Sequence, residues 1–419
     1  MNTPSPTARL PLAGRKVALL HPAWHSCGTY RVVLGQIDAY RALGAQAFPV
    51  AVATDPGFAP IHRWMWRGYV DATPELDAGA RHFAGAPFHA VLHPRFLKEV
   101  LWPYLHGDQA RIRTGLISRS QLSSALDATV FDLVHCNHFF LMPVARRLAR
   151  GAKILLDSHD LQARQFVLMN ERMPWLKPVA SFEAMLAQEL EEMQSADLLV
   201  HLNEKEAAEF EALLPQKKHA LLYPPVPPAP TGPGGEDVVI VSSNNSANVE
   251  SAIWFLREVM PLAEGVRVKI AGGVDAGVKA REPALHKRYE GLFLGRVDDL
   301  DEIYARAKSV LLPTIDGHGL SIKTVEAMAS GLPLVATHLA LRGMDEAAAT
   351  LPGLVLADDP ADFAEALRHA AQAPAPNAAE RRASAVRAFY EAHFSAAAYQ
   401  KNLLNLIFPL LPASLVAGS

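Results

Sequence analysis

Gly317-His318-Gly319-Leu320-Ser321-Ile322-Lys323-Thr324-Val325-Glu326, running on into Ala327-Met328-Ala329-Ser330-Gly331-Leu332-Pro333-Leu334-Val335, decides the reading of this chain. An apolar run at residues 309–313 precedes it and another at 333–337 follows, so the segment reads strand, glycine loop, short helix, strand. Glycines let backbone N–H groups approach a ligand closely, and a helix N-terminus attracts anions. Lys323 and Glu326 stand three apart, on one helical face directed at the loop. A cation beside a phosphate site, with a carboxylate one turn later to accept from sugar hydroxyls, suits a nucleotide-sugar. Ala327, Met328, Gly331 and Pro333 are accounted for by packing of the helix on the strand.

Size and composition bound the rest. A chain of 419 residues exceeds the usual single domain, so two domains of about 200 residues are expected. Half the residues are hydrophobic, enough for two cores. The net charge of −3 and pI near 6.6 give no basic field, which argues against nucleic acid as a partner. Cys27 and Cys136 form neither a disulfide framework nor a metal spacing, and a reducing cytoplasm is expected. Residues 1–12 are Pro/Thr-rich without a long apolar core, so no signal peptide is expected. No apolar stretch approaches the ~20 residues of a membrane span.

The first half begins with a buried strand at 16–21, a turn holding Ser26-Cys27-Gly28-Thr29, a helix over 30–43 and a strand at 47–53, a βαβ unit and hence a parallel sheet. The turn lacks the Gly-x-Gly-x-x-Gly of a dinucleotide fold, which disfavours a nicotinamide oxidoreductase. Residues 62–105 are rich in Trp, His and Pro; they read as a loop-rich stretch with anchoring aromatics, or as an acceptor-facing surface. A helix is expected over 115–126. Strands follow at 131–136, 153–157 and 197–202, helices at 180–195 and 204–214, and a closing run at 220–223. Polar residues after parallel strands line the ligand crevice of open α/β sheets, so His21, His138 and His159 could share one rim.

Six prolines within residues 224–233 cannot form a helix or central strand. They read as a semi-rigid linker and mark the boundary. The second α/β half has strands at 238–242, 266–271 and 292–294, a polar loop at 243–248, a helix at 249–260 and another at 299–307. Residues 379–408 read as helical. The last helix carries an apolar face, with Leu403, Leu404, Ile407 and Leu410, for which docking on a membrane surface is one reading.

The 317–335 block resembles the nucleotide-sugar signature of GT-B glycosyltransferases of the retaining, glycogen-synthase-like group (glycosyl transferases group 1). Asn248, Ala252-Ile253-Trp254-Phe255-Leu256 and Val259-Met260-Pro261 are similar to that family's "N-x-x-x-I-x-W-F-x-x-x-V-x-P" opening. Phe293-Leu294-Gly295-Arg296-Val297, Asp299-Leu300 and Ile303-Tyr304 are similar to its "F-x-G-x-V-x-D-L-x-x-x-Y" segment. Leu156-Asp157-Ser158-His159-Asp160, with Arg164, is similar to a histidine-aspartate turn near the sugar. The likeness is specific over residues 238–343 and architectural elsewhere.

The resemblance implies an α/β GT-B fold: two Rossmann-like domains facing a central cleft, with a C-terminal helix crossing back to the first. The expected division is 1–223 as the acceptor-side domain, 224–235 as linker, 236–395 as the nucleotide-sugar domain, and 396–419 as crossover helix and tail. It implies a metal-independent hexosyltransferase-type enzyme without cofactor. That enzyme moves a sugar from a nucleotide-diphosphate donor to a carbohydrate, lipid-linked or other hydroxyl acceptor, with retention, in surface polysaccharide or glycoconjugate synthesis. The cytoplasm, or the inner face of the membrane, is the expected location.

By the same resemblance His159, Lys323 and Glu326 are the catalytic candidates: His159 orients the donor sugar, Lys323 meets the phosphates and Glu326 holds ribose hydroxyls. Donor contacts are expected from Gly28, Ser243, Asn244, Arg296, Val297, Asp316, Gly317, His318, Gly319, Leu320 and Ser321, and no metal ligand is assigned. Two departures stand out. Relatives pair two glutamates eight positions apart, whereas the earlier position here is His318. Relatives also carry Arg and Lys around the loop occupied here by Ser243, Asn244 and Asn245. Two alternatives remain open, a GT-B nucleotide-sugar epimerase and a non-catalytic sugar-nucleotide-binding module.

Overall fold

The computed structural model describes residues 10–25, 27–76, 81–171, 173–297, 299–317 and 319–412; Ser26 and His318, both read from sequence, lie outside them. The chain divides into two compact units, residues 1–224 with 399–419, and residues 225–398.

Unit 1 is built on eight strands: β1 Lys16–Pro22, β2 Gln46–Val52, β3 His82–Gly85, β4 Gln121–Leu122, β5 Leu133–Asn137, β6 Lys153–Asp157, β7 Leu198–His201 and β8 His219–Leu221. Their order is β4-β3-β2-β1-β5-β6-β7-β8. All pairs are parallel except β3 with the short edge strand β4. Val17, Ala18, Leu19 and Leu20 are all fully buried, as a strand covered by helices on both faces requires. One face packs on Leu133, Leu155, Ile37 and Tyr40, the other on Val134, Leu156, Phe140 and Met142.

Unit 2 is a six-stranded parallel sheet: β9 Asp237–Val241, β10 Val268–Ala271, β11 Phe293–Gly295, β12 Ala307–Leu312, β13 Leu334–Ala336 and β14 Leu354–Leu356, ordered β11-β10-β9-β12-β13-β14. Each sheet therefore reverses direction once, between β1 and β5 in unit 1 and between β9 and β12 in unit 2. Such switch points open a crevice beyond the carboxyl ends of the strands, where ligands of open α/β sheets bind.

Several local expectations change. The span expected as one helix at 115–126 is a helix Gln109–Ile117, the edge strand β4 and a second helix Ser124–Ala128 capped by the Ser123 side chain. Leu116, Ile117, Leu122 and Leu126 mimic helical spacing, but Gln121 and Leu122 pair with Gly85 and Ala84 instead. Residues 62–105 contain a helix Arg67–Ala72, strand β3 and a run of short helical turns from Phe88 to Leu105. β14 and the helix Pro360–Gln372 lie where the sequence reading placed no element.

The proline-rich stretch is not a bare spacer. The guanidinium of buried Arg381 donates to the carbonyls of Pro230, Gly232 and Ser330. Arg387 donates to Ala229 O at 3.0 Å and the Tyr390 hydroxyl to Val226 O at 2.7 Å. The last helix, Ala396–Ile407, buries Tyr399, Leu403 and Ile407 in the core of unit 1 beside Val17 and Leu19. Tyr399, Leu403 and Ile407 of that apolar face are thus spent on packing.

Candidate functional site

The unit 2 switch point is assembled from two loops. After β9, the Asn245 side chain caps the helix Ser246–Trp254 by accepting the Asn248 N–H at 2.8 Å. Asn248 Nδ2 donates to Ser243 Oγ at 3.0 Å and Ser243 O at 3.3 Å. Because the Ser243 carbonyl can only accept, the amide orientation is fixed and Asn248 Oδ1 faces the other way. There it accepts from Lys323 Nζ at 2.9 Å. After β12, the loop is held by Ile315 N–H to Ser251 Oγ at 3.2 Å and by Thr337 Oγ1 to Thr314 O at 2.5 Å. A cavity of about 10 Å³ lies under the ammonium, lined by Ser242, Asn248, Ser251, Pro313 and Lys323. It has room for about one water, so any larger ligand lies over the loops and not inside.

Gly317 has φ of 136°, and a Cβ there would lie 2.9 Å from the Arg342 guanidinium carbon. Only glycine lets that guanidinium rest on the loop. Arg342 also ties the two ends of the segment together, its carbonyl accepting the Ser321 N–H at 3.3 Å. Burial first, and then the Arg342 charge, together lower the Lys323 pKa to about 8. Burial likewise lowers Arg342, with Asp316 pulling the other way. Two partly desolvated cations thus oppose each other at the amino end of the helix Ile322–Ser330, an arrangement that an anion would relieve.

The remaining candidates of this unit fall around that centre. Glu326, half-buried, adds its charge to burial in raising the hydroxyl pKa of Tyr304. Gly319 takes φ of 64°, and Gly317 N–H donates to Asp316 Oδ1 at 2.7 Å. Leu320 is half-buried; the Ser321 hydroxyl is occupied by Thr324 Oγ1 at 2.8 Å, so this serine serves the loop itself. Asn244 packs against Gly273 and Gly277. Arg296 is exposed and Val297 half-buried just past β11, on the same carboxyl edge of the sheet. The sequence reading missed Arg342; its signal was an Arg-Gly pair shortly after β13.

At the unit 1 switch point the strand-end histidines are neutral, and the Arg113 guanidinium lies beside them, 5.3 Å from the Phe140 ring centre. His138 and His159 follow β5 and β6, both with positive φ (73° and 58°), a conformation that side chains adopt only when surroundings impose it. Their rings stack at 4.2 Å, and His138 stacks in turn on Phe140 at 5.0 Å. Asn137 Nδ2 donates to Leu20 O at 3.0 Å and to Gln36 Oε1 at 2.9 Å. Its Oδ1 therefore faces His159 Nε2, 2.8 Å away, so the neutral ring carries its proton on Nε2 and leaves Nδ1 as the acceptor. Gln36 Nε2 donates to Asp157 Oδ2 at 3.0 Å.

Burial lowers the His159 pKa to about 3 and raises Asp157 to about 7, the latter against the pull of the His159 N–H and Gln36. His21 also lies at this edge, its Nδ1 2.9 Å from Pro22 O and its pKa lowered by burial to about 4. Gly28 opens the first helix, Gly28–Ala42, with nothing within 4 Å of where a Cβ would stand. Among the described residues no group of three or more His, Cys, Asp or Glu stands in a metal-holding arrangement. No helix among them is long and apolar enough to cross a membrane.

No curated protein matches the chain. Among solved structures it is similar to sucrose-phosphate synthase from Thermosynechococcus elongatus, at 16% identity and a TM-score of 0.58 over 94% of this chain and 99% of that one. It is similar to an α,α-trehalose-phosphate synthase (UDP-forming) from Burkholderia xenovorans in complex with glucose-6-phosphate, at 13% identity and 0.58 over 94% and 100%. HepE of Anabaena in complex with UDP follows at 12% identity and 0.56, again over 94% and 100%. The architecture is that of GT-B glycosyltransferase structures, two parallel-sheet Rossmann-like domains, and residues 235–373 match the family Glycosyl transferases group 1.

Proposed function

We propose that the protein is a retaining glycosyltransferase that transfers a sugar from a nucleoside-diphosphate donor to an acceptor hydroxyl, in surface polysaccharide or glycoconjugate synthesis. The observation that carries this reading is the pair of opposed, partly buried cations, Lys323 and Arg342, over a glycine loop at a helix amino end. As the anomeric C–O bond breaks, the departing diphosphate gains negative charge. A fixed ammonium, a fixed guanidinium and a helix dipole stabilise that charge without a metal. In this reading Lys323 and Arg342 hold the phosphates. Glu326 holds the ribose hydroxyls, and the loop around Gly317 and Gly319 meets the donor. Arg296 and the Val297 backbone border the base. Gly28 admits phosphate close to the backbone, and His159, with Nδ1 as acceptor, orients a sugar hydroxyl.

The match of residues 235–373 to the glycosyltransferase family supports the donor side, and the UDP in the HepE structure makes UDP-sugars the first donors to try. Thermal-shift screening against UDP-, GDP- and ADP-sugars identifies the donor, since a tight ligand stabilises the folded state. Lys323→Ala tests the phosphate role. Loss of such a contact costs at least about 1.5 kcal/mol, over tenfold in turnover, and a variant within about threefold of wild type ends the assignment. Product analysis separates transfer, which releases nucleoside diphosphate, from epimerisation, which does not.

A further inference from the structure

A second region of unit 1 has no place in that reading. The turns from Phe88 to Leu105 bury Ala90 and Val100 against Ala86 and Leu116 in a small core of their own. Their outward side is apolar too: Phe88 is 68% exposed, Leu92 81% and Trp102 63%, with Leu97, Leu101 and Tyr104 beside them. A surface helix of a globular protein is apolar on one face only; one apolar on both sides has a second partner.

The patch extends across chain neighbours. Gly57 places Met65 and Phe88 together, next to Trp64, which is 75% exposed. Tyr104 meets Trp175 edge-on at 5.8 Å, and Leu176 N–H donates to Leu105 O at 2.8 Å, bringing exposed Met173 and Leu176 alongside. Cations are interleaved with these side chains. Arg63, Arg95, Lys98 and Lys177 are exposed and make no ion pair among the described residues. The nearby acids Asp71 and Glu99 already face Arg67 and Arg119.

We infer that this face of unit 1 docks on the surface of an anionic lipid bilayer. Trp and Tyr at an apolar–aqueous boundary, Leu and Phe to enter the acyl region, and uncompensated Arg and Lys for the headgroups are the three components such a surface needs. The cations also argue against a second copy of the chain as occupant. A two-fold contact sets a patch against itself, so its excess of Arg and Lys would oppose the same excess on the second copy. The inference uses unit 1 alone and stands whether or not the donor assignment holds.

Co-sedimentation of the full chain with vesicles of phosphatidylcholine, with or without about 30 mol % phosphatidylglycerol, tests it. Binding is expected to the anionic vesicles, weakening with added salt. The double variant L92S/W102S and the charge variant R95E/K98E should each reduce it by about tenfold or more. All four positions are exposed, so circular dichroism and Tm should stay at wild-type values, which separates lost docking from lost folding. Three results would overturn the inference: no binding to anionic vesicles, undiminished binding by both variants, or a concentration-dependent dimer of the wild type that L92S/W102S abolishes.

Discussion

Both switch points place polar side chains beyond the ends of parallel strands, yet they solve opposite electrostatic problems. In unit 1 the strand-end histidines and Asp157 are driven toward neutrality, beside the Arg113 guanidinium stacked on Phe140. His159 stays uncharged, Asp157 is raised to about 7, and Asn137 and Gln36 satisfy their neighbours in a closed network. In unit 2 burial lowers the pKa of two partly buried cations, and the Arg342 charge lowers that of Lys323 as well. The first arrangement fixes geometry through its own hydrogen bonds and leaves the buried His138 Nδ1 open among the described residues. The second sets two cations against each other, with Asp316 acting on Arg342, and added negative charge would favour both ammonium and guanidinium. The same chemical change should therefore have opposite effects in the two places.

The largest effect is expected from Asn137→Ala. It leaves His159 Nε2–H, the Leu20 carbonyl and Gln36 Oε1 without their partner in a buried site, a destabilisation of about 2–4 kcal/mol. Urea unfolding measures it, and a loss near zero would mean that water replaces the amide. Lys323→Met, also polar to apolar, should leave stability unchanged or higher while weakening nucleoside diphosphate at least about tenfold by calorimetry. A variant that loses both would erase the contrast.

Proton linkage sharpens it further. The Lys323 pKa of about 8 lies below the ordinary lysine value of 10.5. Between those values the unfolded chain binds the extra proton, so the stability contribution of Lys323 rises with pH across that window, and its penalty is fully present below pH 8. Anion binding needs the ammonium and runs the other way. Affinity for nucleoside diphosphate should fall roughly fivefold from pH 8 to pH 9, and Lys323→Arg should flatten that profile. The smallest effect is expected from Arg342→Gln. Removing the like charge should move the pH break upward, on top of its own loss of affinity.

What the sequence disclosed follows from range. The strand, glycine loop and helix around Lys323 are contiguous, so periodicity and glycine placement sufficed, and polar residues past β5 and β6 pointed to a shared edge. The network behind that edge was hidden because Gln36, Asn137 and Asp157 are brought together by sheet order and not by spacing. Arg342 was hidden for the same reason: its relation to Gly317 exists only once β12 and β13 lie side by side. The expected helix at 115–126 failed because a two-residue strand on a sheet edge leaves no periodic trace.

One consequence of the packing of Tyr399, Leu403 and Ile407 concerns the order of assembly. Unit 1 is discontinuous, and its core is closed by side chains translated after all of unit 2. On the ribosome the earlier-made half must therefore wait, with part of its apolar interior uncovered, while residues 225–398 emerge and can complete their own sheet. The later segment is the one able to finish first, which reverses the usual amino-to-carboxyl succession of domains.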